Sequence, residues 1–234
     1  MIPVFNGERY MAEAIESVLV QTHEPVELIV VDDASCDGSV ALAKSYEDVR
    51  LIERERNGGV AAARNDGLAA ASGDYFGFVD QDDVMVPDRL EHQLAYLSAH
   101  PATDAVMGME EVFVDEGGDP QTGLTVNRIP DEEGCFPVDA YFPPTILART
   151  SDLRRIGGFD ETVGFGDDLD LVFRFRDDPS LTLEMRDEIA VRRRFHASNQ
   201  SRDRQRARQA VALAFKRRIE RARADRNQPT DAER

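Results

Sequence analysis

A chain of 234 residues with 41% hydrophobic and 31% charged side chains has room for one generous domain and buries enough surface to fold without disulfide staples. That composition excludes collagen-like, disordered and membrane-spanning classes. The net charge of −17 is unevenly spread: residues 202–234 carry 11 basic and 5 acidic side chains, whereas residues 1–201 hold 17 basic against 40 acidic. A body that acidic repels a phosphate backbone, which argues against nucleic acid as a partner, and it suits high salt, where repulsion is screened.

The two cysteines, Cys36 and Cys135, follow no metal-ligand spacing and read as reduced thiols of a cytosolic protein rather than as a bridge. No stretch approaches the ~20 apolar residues of a membrane helix. The apolar run at 28–31 stops at Asp32 and Asp33, and Glu8 and Arg9 interrupt the first apolar stretch where a secretory leader would continue. The expectation is a soluble, cytoplasmic protein.

In chain order, residues 2–5 read as the tail of a strand. Residues 8–20 place Met11, Ala14, Ile15, Val18 and Leu19 on one helical stripe. Residues 27–31 form a short apolar run ending in acids, the pattern of a buried parallel strand. A helix over 38–46, a strand over 49–53 and an alanine-rich helix over 59–71 follow. The next strand, 75–79, again ends in aspartates. Pro87 suits the first position of a helix with Leu90, Leu94 and Leu97 on one face. Strand and helix alternating over short links predict an α/β fold, with a mostly parallel sheet covered by helices on both faces.

Beyond this, 105–126 reads as a strand running into the glycine-rich loop Gly117–Gly118, and 130–144 as a turn-rich acidic loop over a site. A short helix capped by Ser151 ends at Gly157–Gly158, a helix spans 168–176, and late strands cover 181–185 and 189–195. Residues Arg204–Arg226 form a basic amphipathic helix with Ala207, Val211, Ala214, Phe215, Ile219 and Ala222 as its stripe. Residues after Asn227 read as frayed.

In an open parallel sheet, ligands bind beyond the carboxyl ends of the strands. Two predicted strands end there in acids, Asp32–Asp33 and Asp80-Gln81-Asp82-Asp83. Carboxylates at that edge need water, donors or a cation. Asp80 and Asp82, at i and i+2, suffice for one hard divalent cation such as Mg²⁺ or Mn²⁺ with positions left for phosphate oxygens; the other reading is a solvated acidic turn. Asp33 to Gly38 imitates the start of an EF-hand loop, but Lys44 stands where the bidentate glutamate belongs, so calcium is rejected. Turn chemistry then leaves Asp32 and Asp33 free for a ligand. Arg64 either reaches a diphosphate or makes a structural ion pair. The acids Asp167, Asp168 and Asp170 at a helix start complement its dipole.

Several motifs in order resemble the family 2 glycosyltransferases, which have a nucleotide-diphospho-sugar-binding, Rossmann-like fold called GT-A. Ile2-Pro3-Val4-Phe5-Asn6-Gly7-Glu8 resembles the opening strand and turn, Ser17-Val18-Leu19-Val20-Gln21-Thr22 the first-helix ending, and Val30-Val31-Asp32-Asp33-Ala34-Ser35-Cys36-Asp37-Gly38-Ser39 the nucleoside-contacting motif. Gly59 to Asn65 fits as well. Phe78-Val79-Asp80-Gln81-Asp82-Asp83 stands at the metal motif. Gly157-Gly158-Phe159-Asp160-Glu161, followed by Asp167-Asp168-Leu169-Asp170-Leu171, resembles the acceptor and base motifs. Arg194-Phe195-His196 resembles the late metal histidine. The resemblance covers about residues 1–200, implying a GT-A domain there and an appended basic helix and tail over 201–234. The family's opening strand begins earlier, so this sequence enters it in mid-strand. Its base motif begins with glutamate where this chain has Asp167, leaving the base as Asp168 or Asp167.

The resemblance implies inverting transfer of a sugar from a nucleotide-diphospho-sugar donor to a saccharide, lipid-linked or other hydroxyl acceptor. Asp82, Asp80 and His196 would hold Mg²⁺ or Mn²⁺. Pro3, Phe5, Asn6, Glu8, Asp32, Asp33, Arg64, Asp80 and Gln81 would bind the donor. The rivals are a sugar nucleotidyltransferase, for which residues 1–25 offer only Arg9 as a basic group, and a non-catalytic nucleotide-sugar-binding module. The terminal helix either packs on the body, pairs with a second chain, or lies on an anionic membrane at its inner face.

Overall fold

The computed structural model describes residues 1–114, 143–196, 199 and 204–226. The first half runs β1 (Ile2–Val4), α1 (Met11–Leu19), β2 (Leu28–Asp32), α2 (Ser39–Lys44), β3 (Val49–Glu53), α3 (Val60–Ala70), β4 (Tyr75–Gly77), β5 (Val84–Met85) and α4 (Arg89–Ala99). The second half runs β6 (Ala105–Val114), β7 (Leu147–Arg149), α5 (Thr150–Arg155), α6 (Asp167–Asp177), β8 (Leu183–Phe195) and α7 (Arg204–Arg226). The loop expected over 130–144 lies outside the described residues up to 142, as do Gly117–Gly118, Cys135 and the tail from 227.

Strands β1, β2 and β3 form a parallel sheet. Met1 extends it: its nitrogen donates to Gly77 O at 2.8 Å, and Val79 N donates to Met1 O at 3.1 Å. The chain after β4 therefore runs beside β1, joining the first sheet to a second ordered β4-β7-β6-β8-β5. In the second sheet β6 and β8 are parallel, and the remaining pairs are antiparallel. Strand β2 is buried throughout, because both of its faces are covered. Leu28 and Val30 face Met11, Ile15 and Val18 of α1, while Ile29 and Val31 face Ala61 and Ala63 of α3. The period of two delivers alternate residues to two cores.

Sequence boundaries hold within one to three residues for most elements, with informative exceptions. Strands β5 and β7 span two and three residues and have too little periodicity to be legible. Leu19 ends the α1 stripe exposed at 39%; Ser17 is buried instead, donating to Ala14 O and accepting from Met85 N. Helix α4 starts at Arg89 rather than Pro87 and buries Arg89, Gln93 and Leu97. Arg89 earns that place by donating to Gln93 Oε1 and to the carbonyls of Phe78 and Ile146, although burial lowers its pKa to about 9. The two late strands are one, β8. Its pairing with β6 slips between Met107 and Met109 and again before Glu110, which is why the pattern breaks in sequence.

Helix α7 packs on α6. Ala210 and Ala214 are buried, whereas Val211, Phe215 and Ile219 of the expected stripe are 41%, 37% and 51% exposed. Ala214 joins Leu169 and Phe173 in a small core, and the Phe173 and Phe215 rings lie 4.9 Å apart. Among the described residues, no helix is long and apolar enough to cross a membrane. Phe173 is fully buried at this seam, so Phe173→Ala is expected to cost about 3–5 kcal/mol, read as a lowered urea midpoint at constant m-value.

Candidate active site

The site is built where β1, β2 and β4 end. Past β2 the chain turns sharply: Ala34 takes φ 62°, strained for a residue with a Cβ, and is held there because Asp33 N donates to Val4 O and Ser35 N to Asp32 Oδ2. The two aspartates have different surroundings. Asp33 is already engaged, accepting from Arg54, from Gly58 N at 2.9 Å and from Gly59 N at 2.7 Å. It fixes the turn into α3 and is not the free carboxylate that turn chemistry suggested; the missing partner was Arg54, directly after β3. Asp32 is freer. Its Oδ1 is buried without a partner among the described residues, a cost of about 1–3 kcal/mol that an incoming N–H or O–H would remove.

The opening turn is sewn to this loop. Asn6 N donates to Ser35 Oγ, Cys36 N donates to Asn6 Oδ1, Glu8 N donates to Asp37 Oδ2, and Gly38 N donates to a Glu8 carboxylate oxygen. Phe5, 46% exposed, donates through its N–H to Gln81 Oε1 at 2.8 Å. Asn6, Glu8 and Gln81 thus spend polar atoms holding the two loops together. Pro3 is buried opposite Val31 in the β1–β2 pair, where it shapes the strand.

At the centre lies Arg64 of α3, 2% exposed. It donates to Asp80 Oδ1 at 2.7 Å and to Asp167 Oδ2 at 2.9 Å, with Asp168 Oδ2 at 3.8 Å. Phe78 and Phe159 frame its guanidinium at 4.3 and 5.5 Å from the ring centres. Burial opposes its charge, but Asp167, Asp80 and Asp168 outweigh that and raise its pKa. Of the two roles open to Arg64, the ion pair is the one it makes. One cation joins acids 87 positions apart in sequence, from the 80–83 motif and the 167–168 motif.

Asp167 is spent on Arg64 and buried to 2%. Asp168, with a quarter of its side chain open, accepts a hydrogen bond from Leu169 N at 2.7 Å. Burial first, then the charges of Asp167 and Asp80, push its pKa up to about 6 against the pull of Arg64. Arg64 thus leaves Asp168 the more open of the two carboxylates.

On the other side of Asp80, Asp82 Oδ2 contacts His196 Nε2 at 2.9 Å and accepts from Asn199 Nδ2 at 3.2 Å. Behind it Asp83, 4% exposed, accepts from Arg194 N at 2.9 Å. Burial, with Asp82 and Asp80 nearby, raises its pKa well above the carboxylate range. Among the described residues, no group of three His, Cys, Asp or Glu side chains stands ready around a metal position: Asp82 and His196 touch, while Asp80 is held by Arg64. A carboxylate and an imidazole in contact, with a second carboxylate two positions away, nonetheless fit a divalent cation by donor type.

Sequence reasoning missed Asn199, Arg54 and the Tyr10 ring, 4.6 Å from the His196 ring; no local pattern marks them. A cavity of about 770 Å³ is lined by Asn65, Phe159, Glu161, Arg174, Arg217 and Arg221 among others, and a smaller one of about 390 Å³ lies at Arg54 and Asp66. Neither is lined by Asp80, Asp82 or Asp168.

This architecture and these motifs have counterparts. The model of glycosyl transferase family 2 matches residues 1–154. An uncharacterized glycosyltransferase of Rickettsia prowazekii is 31% identical over 204 residues, covering 85% of this chain and 64% of the relative. The putative glycosyltransferase EpsE of Bacillus subtilis is 36% identical over 180 residues, covering 74% and 64%. The chain spans less than two thirds of the length of these curated relatives. Among solved structures, Staphylococcus aureus TarS 1–349 in complex with UDP-GlcNAc superposes with a TM-score of 0.69 at 21% identity, over 86% of this chain and 59% of that one. The mannosyltransferase PcManGT of Pyrobaculum calidifontis, in complex with GDP-Man and Mn²⁺, superposes with a TM-score of 0.68 at 20% identity, over 97% and 64%. The fold is that of the GT-A glycosyltransferases.

Proposed function

The chain belongs to glycosyl transferase family 2, and we propose that it transfers a sugar from a nucleotide-diphospho-sugar to an acceptor hydroxyl, with inversion and with Asp168 as general base. One observation carries this reading: Arg64 holds Asp80 and Asp167 in one network, bringing donor-side and acceptor-side acids together across 87 positions of sequence. The transferase unit is residues 1–200, with α7 appended to it.

Each residue then has a task. Asp32, with its unpartnered buried oxygen, takes a hydrogen bond from the base or ribose of the donor. Asp82 and His196, with Asp80, would hold Mg²⁺ or Mn²⁺, whose chemistry is to offset charge on a departing diphosphate. Asp168 takes the proton of the acceptor hydroxyl as that oxygen attacks the anomeric carbon from the face opposite the leaving group. A carboxylate is a weak base for a resting alcohol; it suffices because the hydroxyl becomes acidic as the new bond forms.

The test is a plate of UDP-, GDP- and dTDP-sugars with Mn²⁺, read first as thermal shift and then as nucleotide release with a panel of hydroxyl acceptors. Stabilisation by a donor together with acceptor-dependent release supports the reading. Pyrophosphate release from a nucleoside triphosphate and a sugar phosphate would replace it with nucleotidyl transfer. Asp82→Ala is expected to abolish the Mn²⁺ dependence of UDP or GDP binding in calorimetry; dependence that survives the change would place the cation elsewhere.

A further inference from the structure

The match to the family model stops at residue 154, yet the segment beyond it grips the helix that carries the base. Asp170, in the first turn of α6, is fully buried. Its Oδ2 accepts from Arg174 Nε at 2.8 Å and its Oδ1 from Arg221 Nη1 of α7 at 2.7 Å. Its N–H donates to Gly166 O at 3.1 Å, closing the turn that contains Asp167 and Asp168. Gly166, at φ 86°, lies against Ala210 of α7; a Cβ there would stand 3.1 Å from that of Ala210. Further along α7, Arg217 pairs with Asp160 and donates to Thr162 Oγ1. Arg218 grips Asp177 at the far end of α6 and lies over the Phe173 ring at 4.9 Å.

Charge balance alone does not explain Arg221. Arg174 sits one turn away on the same helix and already neutralises Asp170. A second guanidinium arriving from another helix adds little to neutrality, but it fixes where the first turn of α6 stands. Exposed arginine–carboxylate pairs are worth about 0–1 kcal/mol and hold nothing in place. A carboxylate with no exposed surface, one oxygen given to each of two helices, is different, because losing Arg221 leaves Oδ1 buried without its donor.

We propose that α7 is a clamp on the first turn of α6, and that Arg221 is a positioning residue for the base Asp168. The inference rests on the transferase reading above for what is positioned, though not for the clamp itself. Misplacement by about 1 Å of a group that must meet a reacting atom costs on the order of 100-fold, so the effect should fall on turnover and spare donor binding.

The experiment uses the full chain and compares Arg221→Met, Arg221→Lys and Ala210→Leu, the last wedging α7 away from Gly166. Hydrogen exchange is followed at amides 166–172 and, as a control, at 28–33. Nucleotide binding is read by calorimetry with UDP and GDP plus Mn²⁺, and turnover with UDP-GlcNAc and GDP-mannose. Expected are exchange at 166–172 at least tenfold faster in Arg221→Met and Ala210→Leu with the control unchanged, nucleotide affinity within twofold, turnover down about 10–100-fold, and partial recovery in Arg221→Lys. Unchanged exchange at 166–172 overturns the clamp, as does turnover that persists despite faster exchange, or nucleotide binding lost in step with turnover. If the unmodified chain turns over none of the UDP-, GDP- and dTDP-sugars with the acceptor panel while the exchange contrast holds, the clamp stands and the transferase reading fails.

Discussion

Asp168→Asn is expected to lower turnover by about 10²–10⁴-fold, the usual contribution of a positioned base, while leaving UDP or GDP binding within about twofold. Asparagine keeps the acceptor for Leu169 N–H, so the first turn of α6 stays capped and only the proton-accepting function goes. The same change should stabilise the fold at alkaline pH. With its pKa raised from 3.8 to about 6, Asp168 binds its proton more tightly in the folded than in the unfolded chain. Its stabilising contribution is therefore complete below pH 4 and is lost as pH rises through 6. At pH 8 the ionised side chain is a liability of about 1–3 kcal/mol that asparagine does not carry. Urea melts of both proteins at pH 8 and pH 5 measure this, the gap shrinking at the lower pH. Turnover of the unmodified enzyme should fall as pH drops through about 6, because the base must be ionised. Loss of nucleotide binding together with turnover would make Asp168 a structural acid instead.

The second large effect is at Arg64. Arg64→Met keeps the volume and the contact with Phe78 and Phe159 but removes the charge between Asp80 and Asp167. Asp167, 2% exposed, then loses the guanidinium that lies 2.9 Å from its Oδ2, and stranding a buried carboxylate costs about 3–5 kcal/mol. For a chain of this size that corresponds to a fall in Tm of about 10 °C. Arg64→Lys should recover part of it, since one ammonium replaces a fork that reaches two carboxylates. Arg64 also holds the Asp168 pKa down through its charge, so in Arg64→Met the acid limb of any retained turnover should move upward, and less so in Arg64→Lys. A Tm within 2 °C of the unmodified protein for Arg64→Met would show that the cluster balances its charge by other means.

The elements with clear periodicity were legible along the chain, and so were the motifs. Strand β2 announces itself because four apolar residues in a row lead into Asp32, all five of them buried, and α1 because Met11, Ala14, Ile15 and Val18 recur at helical spacing. The acids at 32–33, 80–83 and 167–170 mark strand ends and a helix start through local chemistry alone, and the order of the motifs is enough to point to family 2 glycosyltransferases. What no window of sequence carries is the division of labour among like residues. Asp32 and Asp33 are adjacent and chemically identical, yet only the fold places Arg54, Gly58 and Gly59 around one of them. Asp167 and Asp168 differ because Arg64, from a helix about 100 positions earlier, hydrogen-bonds the first at 2.9 Å and stands 3.8 Å from the second. The stripe of α7 turned out to be alanine at 210 and 214, with arginines reaching Asp160, Asp170 and Asp177, because a seam against another helix is chosen by the acids opposite it. Local periodicity and turn chemistry determine which segments form and which groups they offer; which carboxylate is buried, paired or open depends on partners brought near only by tertiary packing, and through burial and Coulomb terms those partners decide the chemistry.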